Sequence, residues 1–128
     1  MKRQNIEIVL GFLDAIRRRD GAAAAEFLHP EIVWQGVVPD VVCRHPDEVL
    51  GIFLRWRDEP IAIDRLDLIG AERGAVFAVH RPEVWEVAGV EIRGAMYHAF
   101  EIDDGRITRI GDYADRTEAL VAAGLEED

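Results

Sequence analysis

The alternation of apolar and polar residues is clearest in the second half of the chain. From Val90 to Ile102 apolar side chains recur mostly at every second position, which is typical of a strand with one buried face. The segment from Ala75 to Val87 has the same periodicity, and Ala88-Gly89 fits a two-residue hairpin loop between them. A further strand follows Gly105. The pattern therefore predicts three consecutive antiparallel strands.

Helical periodicity dominates the first half. Apolar residues fall at helical spacing over residues 5–19, and Asp20 is a suitable N-cap for a second helix over 21–28. Residues 46–57 begin with a proline and carry an apolar stripe, which predicts a third helix. The remaining predicted elements are a strand over 31–37, a loop over 38–45, a strand over 61–69 and a short C-terminal helix or tail over 115–123. This order predicts an α+β fold, with about three N-terminal helices packed on one side of a curved antiparallel sheet.

Composition narrows the class of protein. The 128 residues, 49% of them apolar, correspond to a single domain over 1–128. A net charge of −10 argues against nucleic acid or an anionic membrane as a partner. Cys43 is the only cysteine, which excludes an internal disulfide and a thiolate metal site. No apolar segment is long enough to cross a membrane, so we expect a cytoplasmic protein.

Ionisable side chains interrupt the apolar face of the predicted hairpin. The two-residue loop sets Arg81 opposite Met96 and Val79 opposite His98. Directly opposed residues share a face of the sheet. We therefore expect Arg81, Glu83 and His98 to point inward together.

The register of the last strand decides where Asp112 points. A three-residue loop over 103–105 sets Asp112 opposite Met96, on the inward face. A two-residue turn instead pairs Asp112 with Tyr97 and sends it outward, since a slip of one residue exchanges the faces. We favour the longer loop because it keeps Ile110 with the apolar set. It predicts a row across three strands with a flanking residue on each side: Arg81, Met96 and Asp112, flanked by Glu83 and His98.

These residues suit acid/base chemistry in an apolar pocket. Desolvation makes Asp112 a candidate general base or acid, although a buried ion pair with Arg81 is the alternative. Glu83 is either a second proton-transfer group or part of a rim salt bridge, and His98 is either an acid/base group or a core residue. No histidine spacing fits a metal site, and we expect neither a metal nor a cofactor. The residues predicted to line a pocket for a small apolar ligand are Trp34, Phe77, Val79, Trp85, Met96, Phe100 and Ile110.

Three stretches carry a resemblance to a known family. They are Asp14-Ala15 with Asp20, the segment HPEIVW at 29–34, and FEIDDGRITRIGDYAD at 100–115. Together with the order of elements they resemble the SnoaL-like branch of the nuclear transport factor 2-like superfamily, over essentially the whole chain. The resemblance implies a cone-shaped α+β fold and a homodimer formed through the outer face of the sheet. Residues of this chain predicted on that face are Arg93, Tyr97 and Ala99.

Within that superfamily, the limonene-epoxide-hydrolase-like enzymes are similar at two sites. Arg81-Pro82-Glu83 resembles their Arg-x-Asp with Glu for Asp, and residues 110–115 resemble the strand that bears a second Asp. The tyrosine and asparagine with which those enzymes hold water match Trp34 and Gly36. Both water-holding side chains are absent, which counts against epoxide hydrolysis. The same differences favour the alternative of a non-catalytic binding or accessory domain.

Polyketide cyclases of the SnoaL type are also similar, because they pair an inward Asp with a neighbouring His. Asp112 and His98 match that pair. The resulting hypothesis is a cofactor-independent acid/base enzyme of hydrolase, isomerase or cyclase type that acts on a small apolar molecule. Asp112 would be the general base, Glu83 or His98 the proton donor, and Arg81 the group that orients Asp112.

Overall fold

The computed structural model describes residues 2–36, 42–55, 68–80, 85–87, 89–92 and 95–124. For some residues inside the helices and strands, Val79 and Trp85 among them, it describes the backbone alone. The helices are α1 (Lys2–Arg17), α2 (Gly21–Ala25), α3 (Pro46–Arg55) and α4 (Arg116–Ala122). The strands are β1 (Leu28–Gln35), β2 (Val42–Arg44), β3 (Leu68–Gly70), β4 (Gly74–His80), β5 (Trp85–Val87), β6 (Val90–Ile92), β7 (Ala95–Asp103) and β8 (Arg106–Tyr113).

The predicted α+β class is confirmed. In the described part of the chain, six strands form one curved open sheet in the order β2-β1-β8-β7-β4-β3, and β5 and β6 form a separate hairpin. Neighbours are antiparallel except β1 and β8, which run parallel. Strand β2 lies where a loop was predicted, and β1 begins at Leu28 rather than at residue 31, so that the second helix is shorter than predicted.

The main core lies between the helices and the inner face of the sheet. Helix α1 has the predicted amphipathic pattern, and its apolar stripe is buried there with Trp34, Phe77 and Phe100. The predicted N-cap of α2 is confirmed, since the Asp20 side chain accepts a hydrogen bond from the backbone N–H of Ala23. None of the described helices is long and apolar enough to span a membrane.

The end of α1 is a solvated cluster of charges. Asp14 accepts hydrogen bonds from Arg17 at 2.6 Å and from Arg18 at 3.0 Å. These bonds, the one from Arg17 first, lower the pKa of the Asp14 carboxyl. The side chains of both arginines are more than half exposed, so this cluster contributes little to stability.

Helix α4 covers part of the outer face of the sheet. Asp115 caps it by accepting from the N–H of Thr117, and its Ala119 and Leu120 pack against β4 and β7. Ala99 was predicted to lie on a face open to a second copy of the chain. It is only 2% exposed, because it packs with these apolar residues of α4. The homodimer itself stays a prediction.

The turn between β7 and β8 differs from the favoured prediction. It has two residues, Asp104 and Gly105, with φ of +51° and +77°, and Asp103 pairs with Arg106. The three-residue loop is therefore wrong. However, Thr108 is an extra residue in β8 that shifts the register by one, and its Oγ1 donates to the Glu101 carbonyl. This bulge cancels the change of face, so that Asp112 still lies on the inward side.

The positive φ of Asp104 leads to a first test. A type I′ turn needs both central residues left-handed, which asparagine tolerates well and a β-branched residue does not. We expect Asp104→Asn to stabilise the fold by about 0.5 kcal/mol and Asp104→Val to destabilise it by about 1–2 kcal/mol. Urea unfolding measures both variants. A three-residue loop, with Asp104 right-handed, would instead tolerate valine without loss.

The pairing of β4 with β7 also differs from the prediction. Phe77, rather than Val79, lies opposite His98. The β5–β6 hairpin has the predicted register, with Val87 opposite Val90. The register of β4 with β7 therefore differs by two residues from the one that continues this hairpin. Arg81 and Glu83 lie outside the described residues, between these two pieces of the predicted strand.

Candidate functional site

Asp112 of β8 lies directly opposite His98 of β7 on the inner face of the sheet. The distance from His98 Nδ1 to Asp112 Oδ1 is 2.6 Å, and the two side chains are 1% and 8% exposed. The prediction that Asp112 lies opposite Met96 is wrong, since the observed partner, His98, lies two residues further along β7. The turn and the bulge together move the histidine from a flanking position to the position facing the carboxylate.

Trp34 completes the contacts of the carboxylate. The parallel pairing of β1 with β8 sets Trp34 beside Ile110, two residues before Asp112. The indole Nε1 donates to Asp112 Oδ1 at 2.7 Å, and the indole lies edge-on to the His98 ring with centroids 6.0 Å apart. Both nitrogens therefore reach the same oxygen. Among the described residues, none donates a hydrogen bond to Oδ2.

This geometry constrains the protons of the cluster. An indole N–H is a donor only, so Oδ1 acts as an acceptor whatever the charge of the histidine. When Asp112 is ionised, the short contact to His98 requires a proton on Nδ1, and Nε2 is then the nitrogen whose protonation follows the charge of the ring. Buried hydrogen bonds to a charged oxygen are stronger than those in water. Asp112, His98 and Trp34 thus form a rigid cluster, which we call the carboxylate cluster.

The proton on Nδ1 is directly testable. We expect the ring nitrogens of His98 in ¹⁵N-labelled protein to show a protonated Nδ1 at neutral pH, because Nδ1 faces the Asp112 carboxylate. Two-bond ¹H–¹⁵N correlation spectra distinguish the tautomers. In Asp112→Asn this constraint is relaxed, since an amide can offer either its oxygen or its N–H₂ group. A neutral ring protonated on Nε2 alone in the native protein would contradict the assignment.

Of the residues predicted to line a pocket, five are buried on or near this face: Trp34, Phe77, Met96, Phe100 and Ile110. The Phe100 ring lies 6.4 Å from the ring of His98 and 6.3 Å from that of Phe12. The side chains of Val79 and Trp85 are outside the description. The lining role of these residues stays a prediction.

The catalytic residues predicted from the sequence are only partly brought together. The structure joins Asp112 with His98, whereas Arg81 and Glu83 lie beyond the described ranges. Sequence reasoning assigned Trp34 to the pocket wall and missed its hydrogen bond. The available signal was the resemblance, which matched Trp34 to a polar, water-holding position of related enzymes.

Within the described ranges, no three His, Cys, Asp or Glu side chains are placed to hold a metal ion. The carboxylate cluster offers a metal ion one carboxylate and one imidazole at most, because the indole N–H cannot ligate a metal.

Solved structures share this fold. An NTF2-like protein of unknown function from Mesorhizobium loti is 19% identical, with a TM-score of 0.64 over 88% of this chain and 91% of that chain. An NTF2-like protein of unknown function from Burkholderia pseudomallei is 23% identical, with a TM-score of 0.61 over 92% and 95%. An LEH-like epoxide hydrolase from M. tuberculosis is 22% identical, with a TM-score of 0.55 over 95% and 92%.

At these identities the likenesses show the fold and not the reaction. No curated protein matches the sequence. The SnoaL-like domain family, in contrast, matches residues 9–110, which span α1 to the middle of β8 and include both Trp34 and His98. The match covers most of the chain, and it agrees with the sheet order, the helices and the NTF2-like neighbours. The chain therefore belongs to the SnoaL-like domain family of the NTF2-like superfamily.

Proposed function

We propose that this chain is a cofactor-independent acid/base enzyme that acts on a small, largely apolar organic molecule. One observation carries the proposal. An aspartate carboxylate on the inner face of the sheet is held at one oxygen by an indole N–H and an imidazole nitrogen, amid buried aromatic and aliphatic side chains. Polar groups of this kind in an apolar setting suit proton transfer.

The two carboxylate oxygens have different roles in this proposal. Oδ1 is anchored by His98 and Trp34, and Oδ2 is the oxygen that takes a proton from the substrate. The proton is returned to another atom of the same substrate, so that no co-reactant is consumed. His98 stabilises the charge of the carboxylate and is the described candidate for a second proton donor. Glu83 and Arg81 remain the proposed additional donor and orienting group.

Proton transfer within the substrate is favoured over hydrolysis. Hydrolysis needs a positioned water, and the single indole N–H of Trp34 is directed at Asp112 instead. Gly36, at the other matched position, has no side chain. We therefore place isomerisation or ring closure of a substrate with an acidic C–H bond ahead of epoxide opening, although the M. tuberculosis neighbour is an epoxide hydrolase.

The alternative is a non-catalytic domain that binds a small molecule. The carboxylate cluster favours it in one respect, because Asp112 is hydrogen-bonded at Oδ1 by the protein itself. Such a satisfied cluster is also found where a buried carboxylate joins strands.

Hydrogen exchange on ligands separates the two functions. Apolar ketones, β-diketones and epoxides are first screened by thermal shift. Compounds that bind are then incubated with the protein in D₂O, and mass spectrometry follows the gain of deuterium. We expect enzyme-dependent exchange at a C–H bond next to a carbonyl, even where no net product forms. Ligands that bind without exchange and without turnover would leave the binding domain as the function.

A further inference from the structure

We infer that Trp34 is a positioning residue whose indole N–H fixes the Asp112 carboxylate, so that Oδ1 is anchored and Oδ2 faces the substrate. The inference rests on the proposed function for its catalytic part. Trp34 does not transfer a proton itself. It acts through Asp112.

The indole of Trp34 differs from the imidazole of His98 as a hydrogen-bond partner. His98 Nδ1 donates to an ionised Asp112 but could accept from the carboxyl when Asp112 is protonated, so this contact alone does not keep Oδ1 as an acceptor. The indole of Trp34 can only donate. Its hydrogen bond at 2.7 Å therefore keeps Oδ1 as the accepting oxygen through any change in the protonation of His98.

The position of Trp34 in the sheet also makes the anchor rigid. Trp34 is 4% exposed and belongs to the main core, and its strand is held between β2 and β8. Its donor therefore approaches from a different strand than that of His98, which lies on β7. Two donors from strands on either side of β8 restrict rotation of the carboxylate about its χ2 bond. Displacing a catalytic group by 1 Å can lower the reaction rate about 100-fold, and a group held in this way avoids that loss.

The sharpest test removes the N–H and keeps the shape. Trp34 is replaced by 3-benzothienylalanine, in which sulfur stands in place of the indole N–H, and Trp34→Phe serves as the genetically encoded counterpart. On a ligand that exchanges deuterium, we expect kcat to fall about 10-fold with KM unchanged, because positioning and not binding is lost. An unchanged kcat in the folded variant, or a change in KM alone, would overturn the inference.

Two measurements need no substrate. The indole ¹H–¹⁵N resonance of Trp34, assigned by its loss in Trp34→Phe, should move when Asp112 is changed to Asn, since the acceptor loses its charge. The benzothienyl replacement should lower Tm by about 5 °C in the native background and by less than about 1 °C in Asp112→Leu, which has no acceptor. If Asp112→Leu does not fold, the resonance in Asp112→Asn decides alone.

Failure of this inference differs from failure of the proposed function. An indole resonance indifferent to Asp112, or equal Tm losses in both backgrounds, shows that Trp34 does not hold the carboxylate. Absence of exchange by the wild type removes the proposed enzyme and the catalytic part of the inference, while the resonance and Tm comparisons still decide whether Trp34 orients Asp112.

Discussion

Asp112→Asn is expected to lower turnover, or deuterium exchange into a bound ligand, about 100- to 10,000-fold while the protein keeps its fold. Asparagine has nearly the shape of aspartate, and its oxygen can still accept from Trp34 Nε1 and His98 Nδ1. The amide nitrogen that replaces Oδ2 cannot accept a proton. Binding of an uncharged ligand should therefore persist while proton transfer stops.

The matched control is Glu101→Gln. Glu101 lies on β7, its carboxylate is 3.4 Å from Arg109 of β8, and both side chains are about one third or more exposed. This variant makes the same chemical change in the same strand pair, away from the carboxylate cluster. We expect activity close to that of the wild type and a stability change below about 1 kcal/mol. Kinetics, circular dichroism and urea unfolding are measured on both variants in parallel. Full activity in Asp112→Asn would end the assignment of the base.

Gly74→Ala is expected to destabilise the fold by about 3 kcal/mol. Gly74 is buried at the start of β4, where the chain passes close to β7. A Cβ at this position would lie 1.6 Å from the carbonyl oxygen of Phe100. Because the obstacle is backbone, β4 and β7 must move apart, and this displacement extends along the pairing towards His98.

Gly51→Ala gives the opposite result from the same substitution. Gly51 is exposed in α3, and a Cβ there meets no atom within 4 Å. Alanine should stabilise the helix by about 0.5–1 kcal/mol through its higher propensity. Urea unfolding of the two variants under one set of conditions gives the comparison. Equal effects at both positions would show that β4 and β7 do not approach as closely as the structure places them.

Much of the fold could be predicted because local periodicity reports which side chains are buried. The spacing of apolar residues in 5–19 predicts an amphipathic helix, and the alternation in the part of 90–102 that forms β7 predicts a strand with His98 on its apolar face. The same alternation did not show that residues 90–92 form a separate strand, β6, paired with β5. Asp20 and Asp115 stand where helix termini require an acceptor, and Asp20 was recognised as a cap. These features depend on residues close to one another along the chain, so they can be predicted without the rest of the molecule.

Only the tertiary structure decided the register. A period of two assigns a face but not a partner, so loops of two and three residues after Asp103 were both consistent with the sequence. The extra residue Thr108 resolved the choice by restoring the face that the two-residue turn had reversed. The parallel pairing of β1 with β8 brings together Trp34 and Asp112, which are 78 residues apart along the chain, and no local pattern encodes that pairing. The sequence determined that a carboxylate and an imidazole share the inner face. Their contact, and the indole that anchors it, depended on how the strands came together.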